Sequence, residues 1–307
     1  MLLPAPNRHI ALVLWSTPRM LPIAALAALA IGLDAEFDLH VSVLAVPTSA
    51  LGTAIALFLG FKNNQAYDRF WEARKIWGAI VNASRTFAVC AVDFVRAPAG
   101  GDPTSSVAIH RELVLRHLAW VNALRLALRR QPERDHLAPY LAEDELESLK
   151  NVANVPNWIL RTQSRRIEEL CESGHVVGTA RHLELRTLVR FLWDHQGACE
   201  RIKNTPLVPH YTTAATVFTW IFITLFPFSI LDVFEGRDVW WVVVVSTLVG
   251  WVYDTTNRLG QLTADPFDRL PTDVPMTALC RTIEIDLRTL LGDETPEPLK
   301  PTGLVLD

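Results

Sequence analysis

The chain has 307 residues, a net charge of −4, 50% hydrophobic and 20% charged residues, and a mean hydropathy of +0.20. That is too apolar for an ordinary soluble enzyme and too charged for a bare membrane bundle, so a membrane part joined to a substantial soluble part is expected. The slightly acidic balance gives no basic face for nucleic acid.

In chain order, residues 1–20 carry Pro4, Pro6 and Pro18 with Arg8 and Arg19. They lack a compact apolar core and a small-residue cleavage site, so no removable signal peptide is expected. The apolar stretch 10–15 suits a membrane interface. Residues 21–33 are uncharged but short of the roughly 20 residues that cross a hydrocarbon core about 30 Å thick. Extending the segment back through Ile10 supplies the length, with Arg19 as an internal charge. Residues 41–61 have the required length outright and are uncharged. Beyond Phe61 the pattern becomes charged and amphipathic, and no proline falls between Pro47 and Pro98. One helix that leaves the bilayer and continues into water is the simplest prediction.

The middle of the chain predicts helices over 107–130, 143–155 (stopped by Pro156), 157–173 and 179–204. A third span, 211–231, holds Phe218, Trp220, Phe222, Phe226 and Phe228, with Pro227 near its end. A fourth, 239–253, has Trp240, Trp241, Trp251 and Tyr253 placed as interfacial anchors. After a Pro- and Asp-rich loop, 265–275, come a last helix at 276–291 and a tail. No strand alternation or internal repeat stands out.

Between the members of each pair of spans, 34–40 has no Lys or Arg and 232–238 has only Arg237. Arg8 and Arg19 precede the first pair, and Lys62, Arg69, Arg74 and Lys75 follow it. The positive-inside rule then places both termini and the middle segment in the cytosol. The expected division is 1–61 (N-terminal segment and first pair), 62–205 (helical cytosolic domain), 206–262 (second pair) and 263–307 (cytosolic loop, helix and tail). Cys90, Cys171, Cys199 and Cys280 form no CxxC pair and match no zinc spacing. They are expected as reduced, mostly buried thiols.

Four spans in one subunit do not readily enclose a solute path, so a path would form around a symmetry axis between copies. The segment suited to that axis is 51–61. Gly52, Ala54, Ala56 and Gly60 permit close helix approach, and Thr53, Leu57 and Phe61 stack at i, i+4 and i+8. Rings of these residues would make an apolar constriction that gates by dewetting. An ordinary interhelical packing stripe is the other reading. Lys62 turns about 100° from this face, toward lipid headgroups or a neighbouring subunit.

For catalysis, Asp194, His195 and Glu200 lie close in sequence, with His182 and Glu184 nearby. Asp194 and His195 diverge on a helix, so the set is not a formed metal site. No GxSxG, HExxH, P-loop or GxGxxG occurs, and an enzyme is not expected.

The stretch FLGFKNNQAYDRFWEARKIWG (58–78) resembles the signature of the bestrophin family in its bacterial branch. CERIKNTP (199–206), with Tyr211 beyond, is similar to the second family signature, and Asp265-Pro266-Phe267 followed by IEIDL (283–287) to the third. The resemblance spans roughly residues 5–292. It implies an all-α membrane protein with four transmembrane helices per subunit and a helical cytosolic domain. It further implies a homopentamer around a central pore in the bacterial inner membrane, passing small monovalent ions without chemistry. The neck would be Thr53, Leu57 and Phe61, with Thr53 where relatives carry a larger aliphatic residue. A cytosolic aperture would map near Ala180, where alanine leaves a wider exit. Animal members hold Ca²⁺ in an acidic loop; here the candidate ligands are Asp265, Asp268 and Asp273 beside Arg269. Three carboxylates are few for a cation that takes six to eight oxygens, so no cofactor is required and a solvated loop is the other reading. Val208-Pro209 reverses the usual order of the second motif. Expected partners are the bilayer, monovalent ions and further copies of the chain. Anion and cation selectivity stay open at this point, as does a membrane-anchored helical scaffold or sensor without a pore. Subunit count separates that last reading from a channel.

Overall fold

The computed structural model describes residues 15–37, 45–98, 102–131, 134–234, 236–270 and 272–301. Most of the interfacial stretch 10–15, Arg8, the first span's start before Trp15, residues 41–44 of the second, and tail residues 302–307 lie outside the described residues. In chain order the helices are α1 (Met20–Phe37), α2 (Ala45–Phe94), α3 (Pro103–Leu128), α4 (Glu143–Ser148), α5 (Val155–Glu172), α6 (Thr179–Asn204), α7 (Pro209–Ile230), α8 (Trp241–Ala264) and α9 (Met276–Leu291). Among the described residues no strand forms; one isolated bridge pairs Val95 with Val176. The chain divides into two compact units, one of residues 71–205 and 266–301, the other of 15–70 and 206–265.

In the second unit α1, α7 and α8 pack on one another. Three helical segments are long and apolar enough to cross a membrane: Thr17–Phe37, Ala45–Phe94 and Pro209–Val233. The first span differs from the sequence expectation. Arg19 sits in a 3-10 turn, Thr17–Arg19, ahead of α1 rather than inside a span, with its guanidinium 4.5 Å over the Trp15 ring. The helix gains its length forward, through Asp34 and Glu36 to Phe37. Ile23, Ala27 and Ala30, one stripe of α1, are buried. Gly250 of α8 meets that stripe so closely that a Cβ there would lie 2.8 Å from Ile23 Cγ2. Small residues at such crossings allow the contact that holds apolar helices together in lipid.

The expected fourth span lies in α8, which begins at Trp241 after a turn at Gly236–Asp238. This helix falls short of the other three in hydropathy because Asp254, Asn257 and Arg258 follow its valine-rich start. Beyond Val242 its buried face, with Ser246, Gly250, Asp254, Asn257 and Gly260, is small and polar rather than aliphatic.

The other unit is built around α3. Its residues Leu113, Val114, Leu118, Ala119, Trp120, Val121 and Leu124 are all buried, as expected of a helix that is apolar nearly all round. Helices α5, α6 and α9 pack against it. Asp102 caps α3, its Oδ1 accepting from the Thr104 N–H at 2.8 Å. The half-buried Glu112 and Glu145 bind buried Arg116, each at 2.8 Å, which ties α4 to α3. The helix expected over 143–155 is two elements. α4 stops at Ser148, and α5 begins at Val155 with Pro156 in its first turn and Asn154 as cap. Pro156 therefore opens a helix instead of ending one, because a first-turn N–H has no helical partner to lose. The expectations for 179–204 and 276–291 match α6 and α9.

Candidate functional site

Helix α2 runs 50 residues without a break. Pro47 falls in its first turn, where proline is tolerated. The upper part of this helix has two unlike faces. Gly52, Ile55, Leu59, Lys62 and Ala66 are buried. Ile55 and Leu59 join Ala215 and Phe222 of α7 in one apolar cluster, and Tyr253 donates from its hydroxyl to the Gly52 carbonyl at 3.1 Å. A Cβ at Gly52 would lie 2.8 Å from the Phe222 ring, so the glycine serves packing inside the subunit. No atom would meet a Cβ at Gly60 within 4 Å.

On the opposite face Thr53, Leu57 and Phe61 are all exposed, Leu57 by 63% and Phe61 by 68%. The structure thus brings the three onto one uncovered stripe of the single chain. The Thr53 hydroxyl donates to the Ser49 carbonyl at 3.0 Å, four residues back. Its polar atom is satisfied within the helix and its methyl group is left on the face. Threonine can therefore occupy an apolar stripe without needing water.

Lys62 departs from expectation. It is 4% exposed, not directed to headgroups or outward from the subunit. Its ammonium donates to the Asn257 carbonyl at 2.9 Å and closely to the Asn257 Oδ1. Sequence spacing gave its angle from Phe61 but held no sign that α8 occupies that side.

Ala180 is exposed in the first turn of α6, behind Gly178 at φ +102°. Val177, 69% exposed, and Leu183, 63% exposed, lie beside it in sequence. These larger apolar side chains were missed by sequence reasoning, although Val176-Val177 ahead of the glycine was a usable signal.

The acidic loop does not gather a cation site. Asp265 faces Arg69 at 3.9 Å, and Asp268 is paired with the Lys203 ammonium. Asp273 is buried, with Oδ2 accepting from the Leu270 N–H at 3.0 Å; burial pushes its carboxyl up to about 6. Among the described residues no group of three or more His, Cys, Asp or Glu side chains is arranged to hold a metal. These residues therefore do not fit a Ca²⁺ ligand set, and no step is assigned to one.

His182 and Glu200, both on α6, have separate partners. His182 pairs with Glu168 at 3.1 Å, while Glu200 accepts from Asn154 at 3.0 Å and Gln196 at 2.9 Å. His195 is pushed down, chiefly by burial. His117, wedged between Phe87 and Trp120, is driven by burial to about 3 and stays neutral. All four cysteines are free, and burial lifts Cys199 and Cys280 to about 12.

A family model described as bacterial/fungal bestrophin protein matches residues 9–289. The voltage-dependent anion channel-forming protein YneE of Escherichia coli K12 is 30% identical over 255 residues, 83% of this chain and 79% of that protein. The voltage-dependent anion channel-forming protein mll4386 of Mesorhizobium japonicum is 27% identical over 287 residues, 92% of this chain and 88% of that one. A crystal structure of a bacterial bestrophin homolog from Klebsiella pneumoniae superposes with a TM-score of 0.81 at 26% identity, covering 90% of this chain and 98% of that chain.

Proposed function

Because the chain belongs to the bacterial/fungal bestrophin family, we propose that it forms a homopentameric channel for small monovalent ions in a bacterial inner membrane. Both termini face the cytosol, and Thr53, Leu57 and Phe61 line the neck. Helix α1, the upper half of α2, α7 and the apolar half of α8 are the four spans of each subunit. The relatives' names make a small anion the first expected permeant species. Ala180 with Val177 would border the cytosolic exit.

The observation that carries this reading is the division of labour on α2. One face is built into the subunit by Gly52, Ile55 and Leu59, and the other leaves Leu57 and Phe61 open beside Ala54, Ala56 and Gly60. Lipid contact alone would favour large aliphatic residues there. Small residues between two large ones suit a close helix–helix approach around an axis. Five such stripes form stacked apolar rings, which hold back water and ions until they widen.

The test is planar-bilayer recording of the reconstituted protein alongside Leu57→Ala and Phe61→Ala. Each substitution removes a ring of bulky side chains, so a larger conductance or a loss of closure is expected. Identical traces for all three proteins would remove residues 53–61 as the constriction. On the same bilayers, the sign of the reversal potential in asymmetric NaCl separates chloride from sodium.

A further inference from the structure

Immediately below the stripe, three polar side chains of α2 reach α8. Lys62 donates to the Asn257 carbonyl at 2.9 Å, Asn63 Nδ2 to the Thr256 carbonyl at 3.0 Å, and Arg69 Nε to the Ala264 carbonyl at 2.8 Å. Lys62 to Asn257 and Arg69 to Ala264 have the same sequence offset, one heptad apart on both helices. The two helices therefore run parallel and in register through this contact. Gly260, between the two anchor points, faces Asn63 with no room for a side chain. A Cβ there would lie 1.9 Å from Asn63 Oδ1 and 3.2 Å from Lys62 Cε. Asn257 Nδ2 and Gln261 Nε2 both donate to the Thr216 hydroxyl, at 3.2 and 3.0 Å, which ties α7 to the same point.

A buried ammonium is costly unless hydrogen bonds replace its water, and an apolar side chain would fill this space without that cost. A lysine here is thus a directional fastener. The Asn257 and Thr256 carbonyls keep a second lone pair after their helical bond, and Ala264, the last residue of α8, offers a carbonyl without a helical partner, so the fastening does not unwind α8. Phe61 precedes Lys62 by one residue, about 100° around the helix, and its own ring is largely uncovered. Whatever fixes the rotation of Lys62 fixes that of Phe61.

We propose that Lys62 is a positioning residue for the neck: with Asn63 and Arg69 it locks the rotation and height of α2 against α8, and through them the Phe61 ring. The inference rests on the channel reading above. Rotation or sliding of the neck helix then requires these bonds to break together, which makes the lock the element that a gating movement must release.

The test compares single-channel conductance of wild type, Lys62→Met, Lys62→Arg, Phe61→Ala and the double variant Phe61→Ala/Lys62→Met in planar bilayers. Light scattering confirms the assembled particle in each case. Lys62→Met keeps the length and removes the charge, and is expected to change conductance about threefold or more, the lower range for residues coupled through direct contact. Lys62→Arg is expected to restore most of the wild-type behaviour. On the Phe61→Ala background Lys62→Met should have little further effect, because the side chain it positions is gone. A Lys62→Met channel indistinguishable from wild type overturns the proposal, as does an effect that persists in full without Phe61. If Lys62→Met does not assemble, Asn63→Ala, with and without Phe61→Ala, makes the same comparison. A silent wild-type bilayer would count against the channel itself rather than against the lock.

Discussion

At the scale of single residues, burial decides which side chains carry consequences. Asp273 illustrates this. Its Oδ2 accepts from the Leu270 N–H, and its own N–H donates to the Leu270 carbonyl at 3.0 Å, closing a tight turn. Burial outweighs those amide bonds and raises the carboxyl to about 6, with the nearby Asp268 charge adding to the rise. A raised value means that the fold favours the protonated form. That contribution is fully present below the ordinary carboxylate value of about 4 and is lost as pH rises through about 6. Asp273→Asn keeps an oxygen for the Leu270 N–H and never ionises. The variant is therefore expected to be more stable than wild type above pH 6, with the gap closing as pH falls toward 4. Thermal melts of both proteins in detergent across that range are the measurement, and a gap that does not change with pH would contradict it. Lys62 teaches the same lesson from the other side. Its charge and its angle from Phe61 were readable from the sequence, but a buried lysine is legible only once the helix that accepts its hydrogen bonds is known.

At the scale of elements, most helices could be read because their ends carry chemistry. Helix α6 stops at Asn204 where Thr205-Pro206 follows, and α9 is capped by Gly292, whose φ of +73° is the left-handed conformation glycine supplies at a helix end. Spacing alone puts Thr53, Leu57 and Phe61 on one face of α2, but not that this face is uncovered in the single chain, because an apolar stripe at helical spacing reads equally as interhelical packing. The break between α4 and α5 was not legible either, because Pro156 reads equally as a stop and as a first-turn residue. Asn154 resolves it. Its Oδ1 accepts from the Asn157 N–H at 3.0 Å, and its Nδ2 donates to Glu200 of α6 at 3.0 Å. One side chain thus both starts α5 and ties it to α6. Asn154→Ala is expected to cost about 1 kcal/mol from the cap alone, with more from the lost bond to Glu200. Asn154→Asp keeps the cap but sets a second carboxylate against Glu200, so it should recover less than the full amount. Chemical denaturation midpoints of the three proteins check the order wild type, Asp, Ala, and an Asp variant no more stable than the Ala variant would contradict it. A variant pair equal to wild type would mean that Asn154 is not the start signal of α5.

At the scale of the whole molecule, the single chain is chemically unfinished. Leu57 and Phe61 stand open on a helix whose other face is packed, and no described residue of the same chain covers them. Lipid could cover them, or other copies could. The two covers predict different neighbours for the same atom, and proximity chemistry distinguishes them. Cys90, Cys199 and Cys280 are buried and Cys171 is partly covered, so a Cys171→Ser background leaves little competing thiol at the surface. In that background Leu57→Cys, oxidised in native membranes, is expected to give covalent dimers on a non-reducing gel, because a closed ring holds equivalent positions around one axis. Ile55→Cys, on the packed face at 2% exposure, should not. Leu29→Cys, 57% exposed on α1, serves as the control for exposure alone. If Leu29→Cys cross-links as readily as Leu57→Cys, the stripe is one more lipid-facing surface and the ring is lost. If Leu57→Cys alone responds, the apolar face that the described residues of its own chain leave open is covered by its counterparts, and the same rings that complete the assembly are those an ion must pass.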